Sequence, residues 1–73
     1  MRITYDPAAD AVYIYLTGEP LTPGRTTIQA GTPPAIDGFI ALDWEDDRLV
    51  GIEVLDASRR LYPDLLQEAE TTS

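Results

Sequence analysis

The 73-residue sequence has no cysteine, no histidine and no lysine, and its five cations are all arginine. Each absence closes a route. Without cysteine there is neither a disulfide nor a thiolate zinc site, the two usual staples of a short chain. Without histidine, cysteine or lysine, imidazole, thiolate and amine chemistry are excluded. Paired carboxylates, a hard cation on oxygen ligands and an activated hydroxyl are then the only catalytic options. The longest apolar run, Ala11 to Leu16, is far short of the roughly 18 residues that span a bilayer. The opening Met1-Arg2-Ile3-Thr4-Tyr5-Asp6 lacks the apolar region of a secretion signal, so a cytoplasmic location is expected.

Acidic residues number 13 against five basic ones, a formal charge of −8 that disfavours nucleic acid and anionic membranes and suits a basic protein partner. With 44% hydrophobic and 25% charged residues, the composition is that of one folded domain rather than a disordered tail. A core drawn from so few residues is thin, and self-association, as a homodimer, is the expected supplement.

Gly, Pro and Asp divide the chain into short apolar segments. Strands are expected at about 2–5, 11–16, 25–29, 39–44 and 49–55, and helix at about 57–61 and 64–69, with 70–73 frayed. The fold class is α+β: a small antiparallel sheet of four to five strands, connected as a meander, with a short C-terminal helix packed on one face. Asp6-Pro7-Ala8-Ala9-Asp10 reads as a tight turn capped by Asp6. Glu45-Asp46-Asp47-Arg48 reads as a polar hairpin turn. Alternation assigns Val12, Ile14, Leu16, Ile40, Leu42, Trp44, Val50, Ile52 and Val54 to a core face, with Leu49, Gly51, Glu53 and Leu55 outward. Asp56 is the expected N-cap of the first helix, and Pro63 breaks the helix near Tyr62. The Pro-bearing stretches after Leu16 and after Gln29 read as loops.

The candidate chemistry is thin. Asp6 and Asp10 flank one turn, and a turn-capping role outweighs a catalytic pair in so small a sheet. The run Asp43-Trp44-Glu45-Asp46-Asp47 lacks the alternating ligand spacing of a calcium loop and reads as a solvated hairpin tip. Arg59 and Arg60 point different ways on a helix, and one of them is expected to pair with Glu53 or Asp56. No catalytic, cofactor-binding or metal-binding residue is assigned.

The aromatics carry more information. Tyr13, Tyr15 and Phe39 fall opposite the aliphatic face, where they are either covered by the C-terminal helices or left as an interaction surface. Gly51 leaves a gap on that outer face across which Tyr13 or Tyr15 could lie. Glu53 is placed to accept from a tyrosine hydroxyl or from Arg59. Tyr13, Tyr15, Phe39, Glu53 and Arg59 therefore form the candidate interaction surface.

Two runs resemble one family. Ile3-Thr4-Tyr5-Asp6-Pro7-Ala8-Ala9-Asp10-Ala11-Val12-Tyr13-Ile14-Tyr15-Leu16 is similar to the opening of the domain-of-unknown-function 2283 family, which has a strand, Tyr-Asp, two spacers, Ala-Asp-Ala, an aliphatic, Tyr and Ile. Asp43 to Leu61 looks like its second signature, an acidic hairpin followed by Val-Gly-Ile-Glu-Ile-Leu and a short Ala-Ser helix. The resemblance implies a small antiparallel sheet with a C-terminal helix, no assigned catalytic residues and no known activity. Similar short acidic proteins are sometimes encoded beside small basic toxin-like ones, which extends the implication to an antitoxin-like role. The sequence departs from the pattern in its Pro-rich middle, Gly18 to Gly38, and after Leu61, where a changed partner surface is expected.

The resulting expectation is a non-enzymatic protein-binding or self-assembling module. The alternative is a small-ligand binder or an enzyme whose site forms across a dimer interface from Tyr13, Tyr15, Asp6, Asp10 and Arg59.

Overall fold

Asp6 ends the first strand because its carboxylate turns back on the chain, where Oδ1 accepts from the N–H groups of Ala8 (3.0 Å) and Ala9 (3.4 Å). The turn joins β1 (Arg2–Asp6) to β2 (Ala11–Tyr15) as an antiparallel hairpin with Ile3 opposite Ile14 and Tyr5 opposite Val12. A computed structural model describes residues 1–31, 33 and 39–71 of the chain. The remaining strands are β3 (Thr26–Ala30), β4 (Ile40–Glu45), β5 (Arg48–Leu55) and β6 (Glu70–Thr71), with helices α1 (Ala57–Arg60) and α2 (Pro63–Glu68) between the last two.

The sheet order is β3-β4-β5-β2-β1-β6. A simple meander is therefore corrected: β2 pairs with β5, and the chain leaves β2 to reach the far edge at β3 before returning through β4. The sheet is also mixed. The end expected to fray is strand at Glu70 and Thr71, which lie parallel to β1 opposite Thr4 and Tyr5. Thr72 and Ser73 lie outside the described residues, as do Thr32 and 34–38 of the Pro-rich middle.

The β4–β5 turn is tight because Asp46 (φ 50°) and Asp47 (φ 63°) both adopt left-handed backbone, the two-residue geometry that matches strand twist and that Asp tolerates. Past this turn, Trp44 stands opposite Leu49 but Asp43 opposite Gly51, so Val50 is an extra residue and β5 bulges. The bulge corrects the simple alternation: Leu49, expected outward, faces Trp44.

One sheet face carries two aliphatic rows. Tyr5, Val12, Val54 and Ile40 form the first, and Ile3, Ile14, Ile52, Leu42 and Ile28 the second. The helices pack on the first row. Val12 and Ala57 are fully buried, Val54 nearly so, and Leu61, Leu65 and Leu66 pack against them. The helices therefore cover the aliphatic face and not the tyrosine face. The second row extends past them to Ile28, which is 54% exposed.

Candidate interaction surface

Three features bury Asp43 to 4% exposure: its place on the inner strand β4, the β3 strand beside it and the tyrosine layer above. A carboxylate so placed must be satisfied. The Tyr13 hydroxyl donates to Oδ2 at 2.5 Å, Arg25 Nε to the same oxygen at 3.1 Å, and Thr27 Oγ1 to Oδ1 at 2.5 Å. Burial works to raise its pKa, yet the donors Thr27, Tyr13 and Arg25 together outweigh burial and hold Asp43 below the usual carboxylate range. Burial first, and then the bond to Asp43, push the Tyr13 phenol well above its ordinary value. Asp43 is thus no part of the solvated tip to which its acidic neighbours Asp46 and Asp47 belong.

Tyr13 reaches Asp43 by crossing β5 over Gly51. A Cβ at position 51 would lie 2.5 Å from the ring's Cζ and 2.8 Å from Cε2, so no other residue fits beneath the ring. Tyr15 meets Tyr13 edge-on, with centroids 4.7 Å apart, and Arg2 sits 5.0 Å over the Tyr15 ring while pairing with Glu70 at 2.8 Å. The result is one strip, Glu70, Arg2, Tyr15, Tyr13, Asp43 and Thr27, that crosses the whole sheet.

A second network ties the first hairpin to α1. Asp10, in left-handed backbone (φ 51°), accepts from the Tyr5 hydroxyl (2.9 Å), the Ser58 N–H (3.0 Å) and the Ser58 hydroxyl (2.7 Å), and its carbonyl accepts from Ala57 N–H (2.9 Å). The helix is therefore capped by a residue 48 positions away. This corrects the expected cap at Asp56, which is left-handed, makes no side-chain cap bond and pairs instead with Arg59 at 3.6 Å. The Ser58 hydroxyl, with Tyr5 and the Ser58 N–H, holds the Asp10 carboxyl below its usual value against the effect of burial. Removing the cap in Asp10→Ala is expected to cost about 1–2 kcal/mol. Urea unfolding checks this: the midpoint falls, least for Asp10→Asn, and an unchanged midpoint in Asp10→Ala would show the cap to be idle.

Of the residues assigned to an interaction surface, Tyr13, Tyr15 and Glu53 share the tyrosine face, and Phe39 joins them by strand alternation, its carbonyl accepting from Leu55 N–H. Arg59 belongs to α1, the helix packed against the opposite face, and is not brought to them. Tyr13 donates to Asp43 rather than Glu53. Asp43, Thr27 and Arg25 were missed as a site. The available signal was alternation, which puts Asp43 with Ala41 on the Tyr13 side of a strand.

These contacts account for the two sequence signatures, since Tyr5, Asp6, Asp10, Tyr13, Asp43, Gly51 and Ser58 each hold a turn, a cap or the cross-sheet strip. The sequence model described as "Protein of unknown function (DUF2283)" matches residues 2–58. The chain belongs to the DUF2283 family. The matched segment ends on Ser58, the donor to Asp10, so it holds the Asp10 network whole and the cross-sheet strip from Arg2 to Thr27, whereas α2 and β6, with Glu70 at the strip's end, follow it. No curated protein and no solved structure matches the chain. Among the described residues of this DUF2283 chain, no three carboxylates gather where a metal ion could be held, and no helix is long and apolar enough to cross a membrane.

Proposed function

We propose that the chain is a non-enzymatic protein-binding module that engages a basic partner through its acidic hairpin and the neighbouring tyrosine face, an antitoxin-like mode of action. One observation carries this reading. Arg2, Arg25 and Arg59 are spent on Glu70, Asp43 and Asp56 within the fold, while Asp46 and Asp47 stand exposed at the hairpin tip of a chain of charge −8. Arg48 follows them and stands opposite Glu45, so the tip keeps a net negative charge, which favours fast association with an oppositely charged surface. Tyr15 is the better aromatic for such a contact, because Tyr13 has its ring and hydroxyl committed to Gly51 and Asp43.

The small-ligand alternative is supported by one feature, an open groove of about 830 Å³ between β1 and the loop after β2, walled in part by Arg2, Tyr15, Leu21 and Glu70. Arg2 already answers Glu70 and Tyr15 there, which leaves little free charge to hold a ligand.

The test compares the tagged wild type with an Asp46→Asn/Asp47→Asn variant in pull-downs from the native host. Asparagine keeps the left-handed turn and removes only charge. A stoichiometric basic protein, released as salt rises and held about five- to tenfold more weakly by the variant, is the expected result. Retention indifferent to both salt and substitution would overturn the reading.

A further inference from the structure

We infer that β3 is a homodimerisation edge, through which two copies pair antiparallel over Thr26–Ala30 with Ile28 facing Ile28 of the second copy. The backbone directions follow from one bond. Leu55 N–H donates to the Phe39 carbonyl at 3.0 Å, and Ile40 stands opposite Val54, so 39 and 55 form a hydrogen-bonded pair. Antiparallel alternation then makes 41/53 and 43/51 bonded pairs and turns the backbone groups of Ile40, Leu42 and Trp44 toward β3. Their partners Ala30, Ile28 and Thr26 point back to β4. The N–H and C=O groups of Thr27 and Gln29 are left directed away from the sheet, along its edge.

Among the described residues, that edge has none of the usual protection. Thr26-Thr27-Ile28-Gln29-Ala30 contains no charge, no proline and no glycine, and three of its five residues are β-branched. The opposite edge is guarded: β6 has two residues, one of them Glu70 in its pair with Arg2. A sheet with one pairable edge closes at two copies rather than growing into a filament.

Only one two-fold register uses all five residues of β3. It places Thr27 opposite Gln29 of the second copy and Gln29 opposite its Thr27, each pair exchanging both backbone bonds, around a close, non-bonded Ile28 pair. Thr26, Ile28 and Ala30 lie on the aliphatic face, so the row Ile3, Ile14, Ile52, Leu42 and Ile28 continues into its copy and covers the half-exposed Ile28. Charge favours the same arrangement. A chain of −8 meets itself along an uncharged strand, and the antiparallel two-fold sets the two acidic hairpins at opposite ends. The hairpins remain free, so the dimer stands or falls independently of the basic-partner reading.

A chain without native cysteine makes single-cysteine crosslinking clean. In the inferred register the two Cα atoms at position 28 lie about 4.5 Å apart, within disulfide reach, whereas those at position 29 are displaced by two residues, beyond about 7 Å. Ile28→Cys is expected to oxidise to a covalent dimer and Gln29→Cys to remain single. Light scattering on the wild type is expected to give the mass of two chains. Amide exchange in the wild type supplies a readout free of substitution: Thr27 and Gln29 are protected in concentrated solution and exchange freely on dilution, while Ile28 stays protected in both. A wild-type mass of one chain at every concentration, equal crosslinking at 28 and 29, or Thr27 and Gln29 amides unprotected in a dimer would each overturn the inference.

Discussion

Asp43→Ala is expected to lower the free energy of unfolding by about 2–4 kcal/mol, because it takes the shared acceptor from the Tyr13 hydroxyl and from the partly exposed Arg25 guanidinium and Thr27 hydroxyl. A chain of 73 residues has roughly 4–11 kcal/mol in total, so the variant should lose a large share of its stability and unfold at markedly lower urea. Asp43→Asn keeps the shape and one acceptor oxygen but turns an amide N–H toward a donor, and falls between the two. Circular dichroism in urea ranks all three. An Asp43→Ala chain as stable as wild type would mean that the cross-sheet strip contributes nothing. The pH dependence carries the same sign. Asp43 and Asp10 are held below their unfolded values, so their contribution is complete above about pH 4 and is lost as pH falls through their folded values. Tyr13 is raised, so its contribution is complete below about pH 10 and fades as pH climbs beyond that.

Gly51→Ala is expected to cost about 1–3 kcal/mol from crowding, with about 1 kcal/mol more as the displaced Tyr13 ring gives up its bond to Asp43. The backbone at Gly51 is ordinary strand; the ring above it imposes the glycine. A double-mutant cycle isolates that cause. In a Tyr13→Ala background the three atoms nearest the added methyl are gone, so Gly51→Ala should cost much less there. Equal costs in both backgrounds would show that the ring does not lie over Gly51.

Local features of the chain were legible wherever a short-range rule governs them. Alternation located the strands and the aliphatic face, Asp6-Pro7 marked the first turn, and Asp46-Asp47 the hairpin. Gly51 signalled an aromatic lying across it. Features set by non-local geometry were not legible. Asp43 sits in an acidic run whose other members are solvated, and only its place between β3 and β5 buries it. Asp10 caps a helix 48 residues on, a pairing that no spacing rule reaches, while the adjacent Asp56 has the better local credentials. The parallel strand β6 has two residues and forms because α2 returns the chain alongside β1. Of the candidate surface, the face shared by Tyr13, Tyr15 and Glu53 followed from strand parity, whereas the position of Arg59 depended on which face the helices chose.

The most direct test of the view that the signature carboxylates are structural is an NMR titration of the Asp10 and Asp43 carboxyl carbons in the folded wild-type chain. A carboxylate held by three donors titrates below the usual value near 3.9, whereas a general acid or a carboxyl pair sharing a proton titrates above it. The networks described here predict both residues below. Either of them titrating above the usual value would contradict the account and return Asp10 or Asp43 to the list of reactive groups.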